Sequence, residues 1–252
     1  MSRDERALDA GLSDPVVPRA LAHGELEVLG LMPGSSNYTF LASAKDPDGG
    51  EADLLAIYKP RRGEQPLWDF PQGTLCRREV AAYVVARSLG WPRVPPTVLR
   101  EGPEGLGSAQ LFVQFDPEQH YFTMQETHAD AFRDIALFDV VVNNADRKGG
   151  HCLLALEGGI FAIDHGVCFH EEDKLRTVIW EFIGEPIPPE RLQQLRSLAD
   201  AVADPADPLR REIGNLLGRA EIEAMADRIE RIVHDRVFPE PGDHRPYPWP
   251  PI

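Results

Sequence analysis

The sequence predicts an α+β protein in two lobes, a β-rich N-lobe followed by a mainly helical C-lobe. Three observations predict it. Short apolar runs separated by Gly and Pro turns occupy residues 25–116. Apolar residues at helical spacing dominate after residue 128. The 252 residues, 42% hydrophobic and 27% charged, are enough to bury a core in each lobe. The expected division is an N-terminal arm (1–24), an N-lobe (25–116), a C-lobe (117–238) and a Pro-rich tail (239–252).

Charge and composition narrow the function. The formal net charge of −15 disfavours nucleic acid as a partner and repels anionic membrane surfaces. No apolar run approaches the ~20 residues that cross a bilayer, so stable membrane association is not expected. The opening Met-Ser-Arg-Asp-Glu-Arg lacks an apolar signal core, and the expected compartment is the cytoplasm. Cys76, Cys152 and Cys168 are too few and too widely spaced for a disulfide framework or a zinc site.

In chain order, residues 1–19 read as a loose arm or a short helix. Strands are expected over Glu25–Met32, Tyr38–Ala42 and Leu54–Tyr58, the last ending on Lys59. The turn Pro33-Gly34-Ser35-Ser36-Asn37 can lay amides and hydroxyls against phosphate oxygens, although an ordinary hairpin turn fits the same residues. Lys45 to Gly50 is a turn. Thr74 to Leu89 reads as a helix, with Thr74 as cap, Val80, Ala81, Val84, Val85 and Leu89 on its apolar face, and Gly90 past its end. Its Glu79 is either a partner for Lys59 or a solvated carboxylate. Strands follow at Val98-Leu99 and Ser108–Phe115, where Asp116-Pro117 breaks the run. His120 to Thr127 is irregular, and His128 to Val142 is helical with Phe132, Ile135, Ala136, Phe138, Asp139 and Val142 on one mixed face.

The next stretch carries the chemistry. Cys152–Leu156 and Ile160–Ile163 form a hairpin through Gly158-Gly159, so Asp146 and Asp164 fall at the same end. Adjacent carboxylates are costly unless they share a cation or a proton. Mg²⁺ suits them, since it takes one or two carboxylates plus phosphate oxygens; turn-capping aspartates in a polar hairpin would look alike. Asp146 to Asp164 is 164 − 146 = 18 positions, and Asp146 to His151 is 5. A catalytic Asp, an Asn five residues on and a later Asp-Phe-Gly form the protein-kinase pattern; here His151 holds the Asn place and the last motif reads Asp164-His165-Gly166. Leu175 to Ile183 follows, with Val178, Ile179 and Phe182 expected to pack. Helices are then expected from Pro189 (Leu192, Leu195 and Leu198 inward), over Pro208–Leu217 and over Ala220–Phe238. Phe238 to Ile252 holds six prolines and reads as an extended tail, loose or docked on a partner or on its own lobe.

Taken in order, these motifs resemble the phosphatidylinositol 3-/4-kinase superfamily, with the type II phosphatidylinositol 4-kinases and short actinobacterial phosphatidylinositol-kinase-like proteins closest in pattern. The similar motifs are Gly34-Ser35-Ser36-Asn37-Tyr38-Thr39-Phe40, Tyr58-Lys59-Pro60-Arg61, Arg78-Glu79-Val80-Ala81-Ala82-Tyr83, Asn144-Ala145-Asp146-Arg147 and Ala162-Ile163-Asp164-His165-Gly166. HipA-type protein kinases are a more distant likeness. The resemblance spans about residues 25–185. It implies a protein-kinase-like fold with ATP between the lobes. Gly34 to Asn37 would cover the β/γ-phosphates, Lys59 would hold the α/β-phosphates beside Glu79, and backbone at Val113, Gln114 and Phe115 would meet adenine. Asp164 would bind Mg²⁺; His151, in the Asn place, would be a second metal ligand, would favour Mn²⁺, or would mark weakened activity. Asp146 would take the acceptor proton, and Arg147 or Lys148 would neutralise the transferring group. The implied activity is transfer of the γ-phosphate to an alcohol: a phosphoinositide, an inositol-type molecule or another small alcohol. The alternatives are a HipA-like protein Ser/Thr kinase and a nucleotide-binding pseudokinase scaffold. The Cys-rich palmitoylated insertion of the eukaryotic type II enzymes has no counterpart, since only Cys76 lies in that region.

Overall fold

The computed structural model describes residues 16–34, 37–45, 53–243 and 245–252. Helix α1 (Val16–His23) buries Ala20 and Leu21 against the N-terminal sheet. Arg100 donates to the carbonyls of Leu21 (2.7 Å) and Gly24 (2.9 Å), placing a cation where the helix dipole is negative. Five antiparallel strands follow: β1 (Leu26–Leu31), β2 (Phe40–Ala44), β3 (Leu54–Pro60), β4 (Thr97–Gly102) and β5 (Gly105–Leu111). Their spatial order is β1-β2-β3-β5-β4. Alternation along β3 determines what reaches the site. Ala56 and Tyr58 enter the small core with Leu21, Leu26, Ala42 and Ala44. Lys59, one residue on, is therefore delivered to the opposite face.

Helix α2 (Leu75–Leu89) lies beside this sheet and is ended by Gly90, whose φ of 78° costs an L-residue far more than glycine. Thr74 does not cap it as expected: its hydroxyl donates to Pro71 O (2.7 Å) and accepts from Arg78 Nε (3.2 Å). The strand expected to reach Phe115 ends at Leu111. Because β3 starts at Leu54, its edge has run out once Phe112 N has donated to Leu55 O (2.9 Å). The chain then passes to the second hairpin, where Leu156 N donates to Gln114 O (2.9 Å) and Asp116 N to Leu154 O (3.0 Å).

The C-lobe holds a short helix α3 (Tyr121–Met124), where irregular structure was expected, then α4 (Ala129–Val142). The hairpin is β6 (Cys152–Leu154) and β7 (Ile160–Ala162), paired with Cys152 opposite Ala162. Helices α5 (Pro189–Ala203), α6 (Pro208–Gly214) and α7 (Arg219–Asp235) complete it. Phe132, Ile135, Phe138 and Val141 from α4 meet Leu195, Leu198, Met225 and Ile229 in the main core. Val178, Ile179 and Phe182 are buried there, as their apolar character predicts. Helix α7 stops short of Phe238 because Arg236 turns left-handed (φ 60°). The Pro-rich segment docks on its own lobe: Pro248 is buried, and the Pro246 and Pro251 carbonyls accept hydrogen bonds from it.

Candidate active site

Three elements deliver three charges to one point. Lys59 comes from the end of β3, Glu79 from α2 and Asp164 from the turn after β7. Lys59 Nζ donates to Glu79 Oε1 and to Asp164 Oδ1, the latter at 2.8 Å. Glu79 Oε2 accepts from His165 N (2.9 Å), so this carboxylate ties the N-lobe helix to the turn after β7. Burial pushes the Glu79 carboxyl upward while Lys59 opposes it. Burial would lower the Lys59 pKa, but Asp164 and Glu79 outweigh it and the ammonium holds its proton more tightly than usual. Lys59 in turn holds the Asp164 carboxyl well below the ordinary carboxylate range. Asp164 has φ 60°, a left-handed conformation that costs a non-glycine residue about 1–2 kcal/mol. Its side chain is 44% exposed, so an ionised carboxylate faces the cleft.

Asp146 sits in the loop after α4. Its N–H donates to Asn144 Oδ1 (3.0 Å), and Asn144 Nδ2 donates to Asp139 Oδ1 (2.9 Å). Lys148 Nζ lies 3.2 Å from Asp146 Oδ2. Burial raises the Asp146 pKa, Lys148 counters it, and the field of Asp164 adds to the rise. The hairpin thus brings the two aspartates close enough to feel each other. His151 is mostly covered, its side chain 15% exposed, and this desolvation lowers its pKa to about 4 and keeps the imidazole neutral. Its Nδ1 faces the Lys148 N–H (3.4 Å) and its Nε2 lies 3.2 Å from Asp164 Oδ2. These partners assign the proton to Nε2, so His151 donates to Asp164.

Arg147 is not in the cleft. Its side chain is fully buried, with Nε 2.9 Å from Asp139 Oδ2 and Nη2 3.1 Å from Oδ1. The remaining donors reach His151 O (3.1 Å), Ile163 O (2.8 Å) and His165 Nε2 (2.8 Å). Burial alone would lower the Arg147 pKa, but Asp139 raises it, so the guanidinium stays charged. The expectation that Arg147 neutralises a transferring group is therefore corrected: all its bonding directions are engaged inside the lobe. Lys148, 21% exposed, is the cation beside Asp146.

The other expected positions divide. Gly34 is described and has φ 81°, whereas Ser35 and Ser36 lie outside the described residues. Asn37 Oδ1 accepts from Gln65 N (2.7 Å), which fastens the turn to the segment after β3. Val113 and Phe115 pack with Leu153, Ala155, Phe161 and Ile163, an apolar cluster leading directly to Asp164. Gln114 O is engaged by Leu156 N. A cavity of about 570 Å³ lies elsewhere; Arg61, Arg62, Phe70 and Leu106 are among its walls and none of the charged cleft residues is.

Sequence reasoning missed two supports. Arg78, one residue before Glu79, is buried, donates to Cys168 O (2.5 Å) and Glu221, and stacks on Phe70 at 4.9 Å. Nothing in the pattern foretold its partner 143 positions away. The Asp139–Arg147–His165 network did leave a signal: a charge within the apolar run Ile135–Val142 demands a buried partner.

This arrangement is the two-lobed fold of protein-kinase-like phosphotransferases. The Golgi casein kinase, in a structure with Mn/ADP bound, aligns at TM-score 0.55 and 16% identity over 92% of this chain and 75% of that one. The model of the phosphatidylinositol 3- and 4-kinase family matches residues 100–206. The chain is 40% identical to protein Rv2133c of Mycobacterium tuberculosis, covering 91% of this chain and 93% of that protein. It is 31% identical to phosphatidylinositol 4-kinase gamma 4 of rice (Oryza sativa subsp. japonica) over 48% of this chain and 25% of the rice protein. The chain belongs to the phosphatidylinositol 3- and 4-kinase family.

Proposed function

We propose that this protein transfers the γ-phosphoryl group of ATP to an alcohol. The observation that carries the reading is Lys59 held between Glu79 and Asp164, with Asp146 and Lys148 beside them. In this reading Lys59 binds the α/β-phosphates, and the cluster around Val113, Phe115 and Ile163 receives adenine. Asp146 orients the acceptor hydroxyl and receives its proton as the new P–O bond forms and the bond to the ADP oxygen breaks. Lys148 offsets charge at that point. Positioning and charge neutralisation then supply most of the rate.

The donor set fits Mg²⁺. Among the described residues no three His, Cys, Asp or Glu side chains form a metal cage of their own. Mg²⁺ characteristically takes one or two carboxylates and completes its shell with water and phosphate oxygens. Asp164 would hold the ion, and the metal would supply charge neutralisation for the phosphates; His151 would join as a softer ligand, tilting the site toward Mn²⁺, only once its Nε2 gives up the proton it shares with Asp164. Asp164 is ionised and exposed, as this requires. A scaffold reading rests on His151, whose proton-bearing Nε2 is engaged with Asp164 rather than free to ligate.

The test is ADP release from Mg-ATP over a panel of inositols, phosphoinositides and simpler alcohols, with wild type and Asp146→Ala. Wild type turns over with at least one acceptor. Asp146→Ala keeps nucleotide affinity and loses about 10²–10⁴-fold in rate. No turnover above the Asp146→Ala level with any acceptor contradicts the enzymatic reading.

A further inference from the structure

The catalytic loop is bordered by a part of the chain that the motifs do not include. Residues 246–252 read Pro-Tyr-Pro-Trp-Pro-Pro-Ile, and four of the seven are prolines with no N–H to donate. The segment instead offers carbonyls. Pro246 O accepts from Thr177 N (3.0 Å) and Trp180 Nε1 (3.2 Å), and Pro251 O accepts from Gly149 N (2.8 Å). Both anchors flank Asp146. Gly149 is three positions beyond it in the same loop. Thr177 pairs with that loop, since Arg147 N donates to Arg176 O (2.9 Å) and Val178 N to Arg147 O (3.1 Å). The segment therefore runs from the Thr177 stretch to the Gly149 end of the catalytic loop, bordering the loop that carries Asp146. Ile252 comes 3.8 Å from the position a Cβ on Gly150 would take.

Two of these anchors, Thr177 N and Gly149 N, are backbone donors, the groups to which an extended polypeptide would add its own strand; the third is the indole N–H of Trp180. The segment already satisfies them, with prolines whose fixed φ reduces the entropy lost on docking. It holds on mainly through these bonds: Tyr247 and Trp249 are 51% and 75% exposed, and Pro248 is the one buried side chain among the described residues 245–252. We infer that residues 245–252 form a strap that sets the acceptor class, closing the loop to polypeptides and leaving Asp146 open to small soluble alcohols. This rests on the phosphotransferase reading above and specifies its acceptor.

The test compares the full chain with a chain lacking Arg245–Ile252. Each is given Mg-ATP in buffer alone, where water is the smallest acceptor, and with dephosphorylated casein as the polypeptide probe. ADP release in buffer stays within about twofold between the two. Casein labelling rises at least about tenfold when the strap is removed. Equal labelling by both chains, or by neither, while ADP release persists overturns the strap and leaves the phosphotransferase reading intact. Absence of ADP release from both chains in buffer, with casein and with every alcohol of the panel above removes the phosphotransferase reading and the strap with it. If losing the whole segment unfolds the protein, a chain ending at Pro248 gives up the Gly149 anchor and keeps both Pro246 contacts, and the same comparison applies.

Discussion

Arg147→Met separates a residue that acts in the cleft from one that builds it. The side chains of Arg147 and Asp139 are both 0% exposed and are joined through two guanidinium nitrogens. Removing one partner leaves Asp139 buried without its counter-charge, which costs about 3–5 kcal/mol. The carbonyls of His151 and Ile163 lose a donor as well. At about 2–4 °C per kcal/mol for a protein of this size, Tm falls by roughly 6–20 °C. Denaturant unfolding measures the change directly. Asp139→Leu combined with Arg147→Met removes both charges and recovers part of the loss. A single variant within about 1 kcal/mol of wild type but without turnover would refute the reasoning, because Arg147 would then be acting on substrate.

Two further predictions follow from the same geometry. Lys59→Met leaves Glu79 and Asp164 facing each other without their shared cation and lowers ADP affinity about 10–100-fold, the worth of a charge-assisted bond; an unchanged Kd in a calorimetric titration contradicts this placement. Stability also depends on pH through His151, which titrates near 4 in the folded protein against 6.5 unfolded, with His165 shifted the same way. The unfolded chain binds more protons between these values, so stability present above pH ~6.5 is lost as pH falls toward 4, by at most about 3 kcal/mol for His151. Thermal melts across that window check it, and a flat profile contradicts it.

Much of the fold and the polar centre was legible because short-range rules fix them. The apolar run Leu54–Tyr58 marked the strand that ends on Lys59, Gly90 ended α2 as a C-cap glycine should, and the Gly158-Gly159 turn brought Asp164 back to Asp146. The misreadings share a different cause. Arg147 reads as a surface cation beside a catalytic aspartate until Asp139, eight residues earlier on α4, claims it. Arg78 depends on Glu221. The strand expected to reach Phe115 ends early because its neighbour does, a fact of pairing rather than of residue type. The strap could not be placed because prolines carry no periodicity, and its anchors, two backbone N–H groups and the Trp180 indole, lie more than sixty positions away.

The most direct measurement is a calorimetric titration of ADP with and without Mg²⁺ on wild type and Asp164→Asn. The predicted result is that Mg²⁺ tightens ADP binding to wild type and does nothing for the variant, with a matching rise in Tm equivalent to about 2.7 kcal/mol at 100 times Kd. Metal-dependent affinity that is equal in both proteins would contradict the assignment of Asp164, and with it the account of this cleft as a nucleotide and metal site.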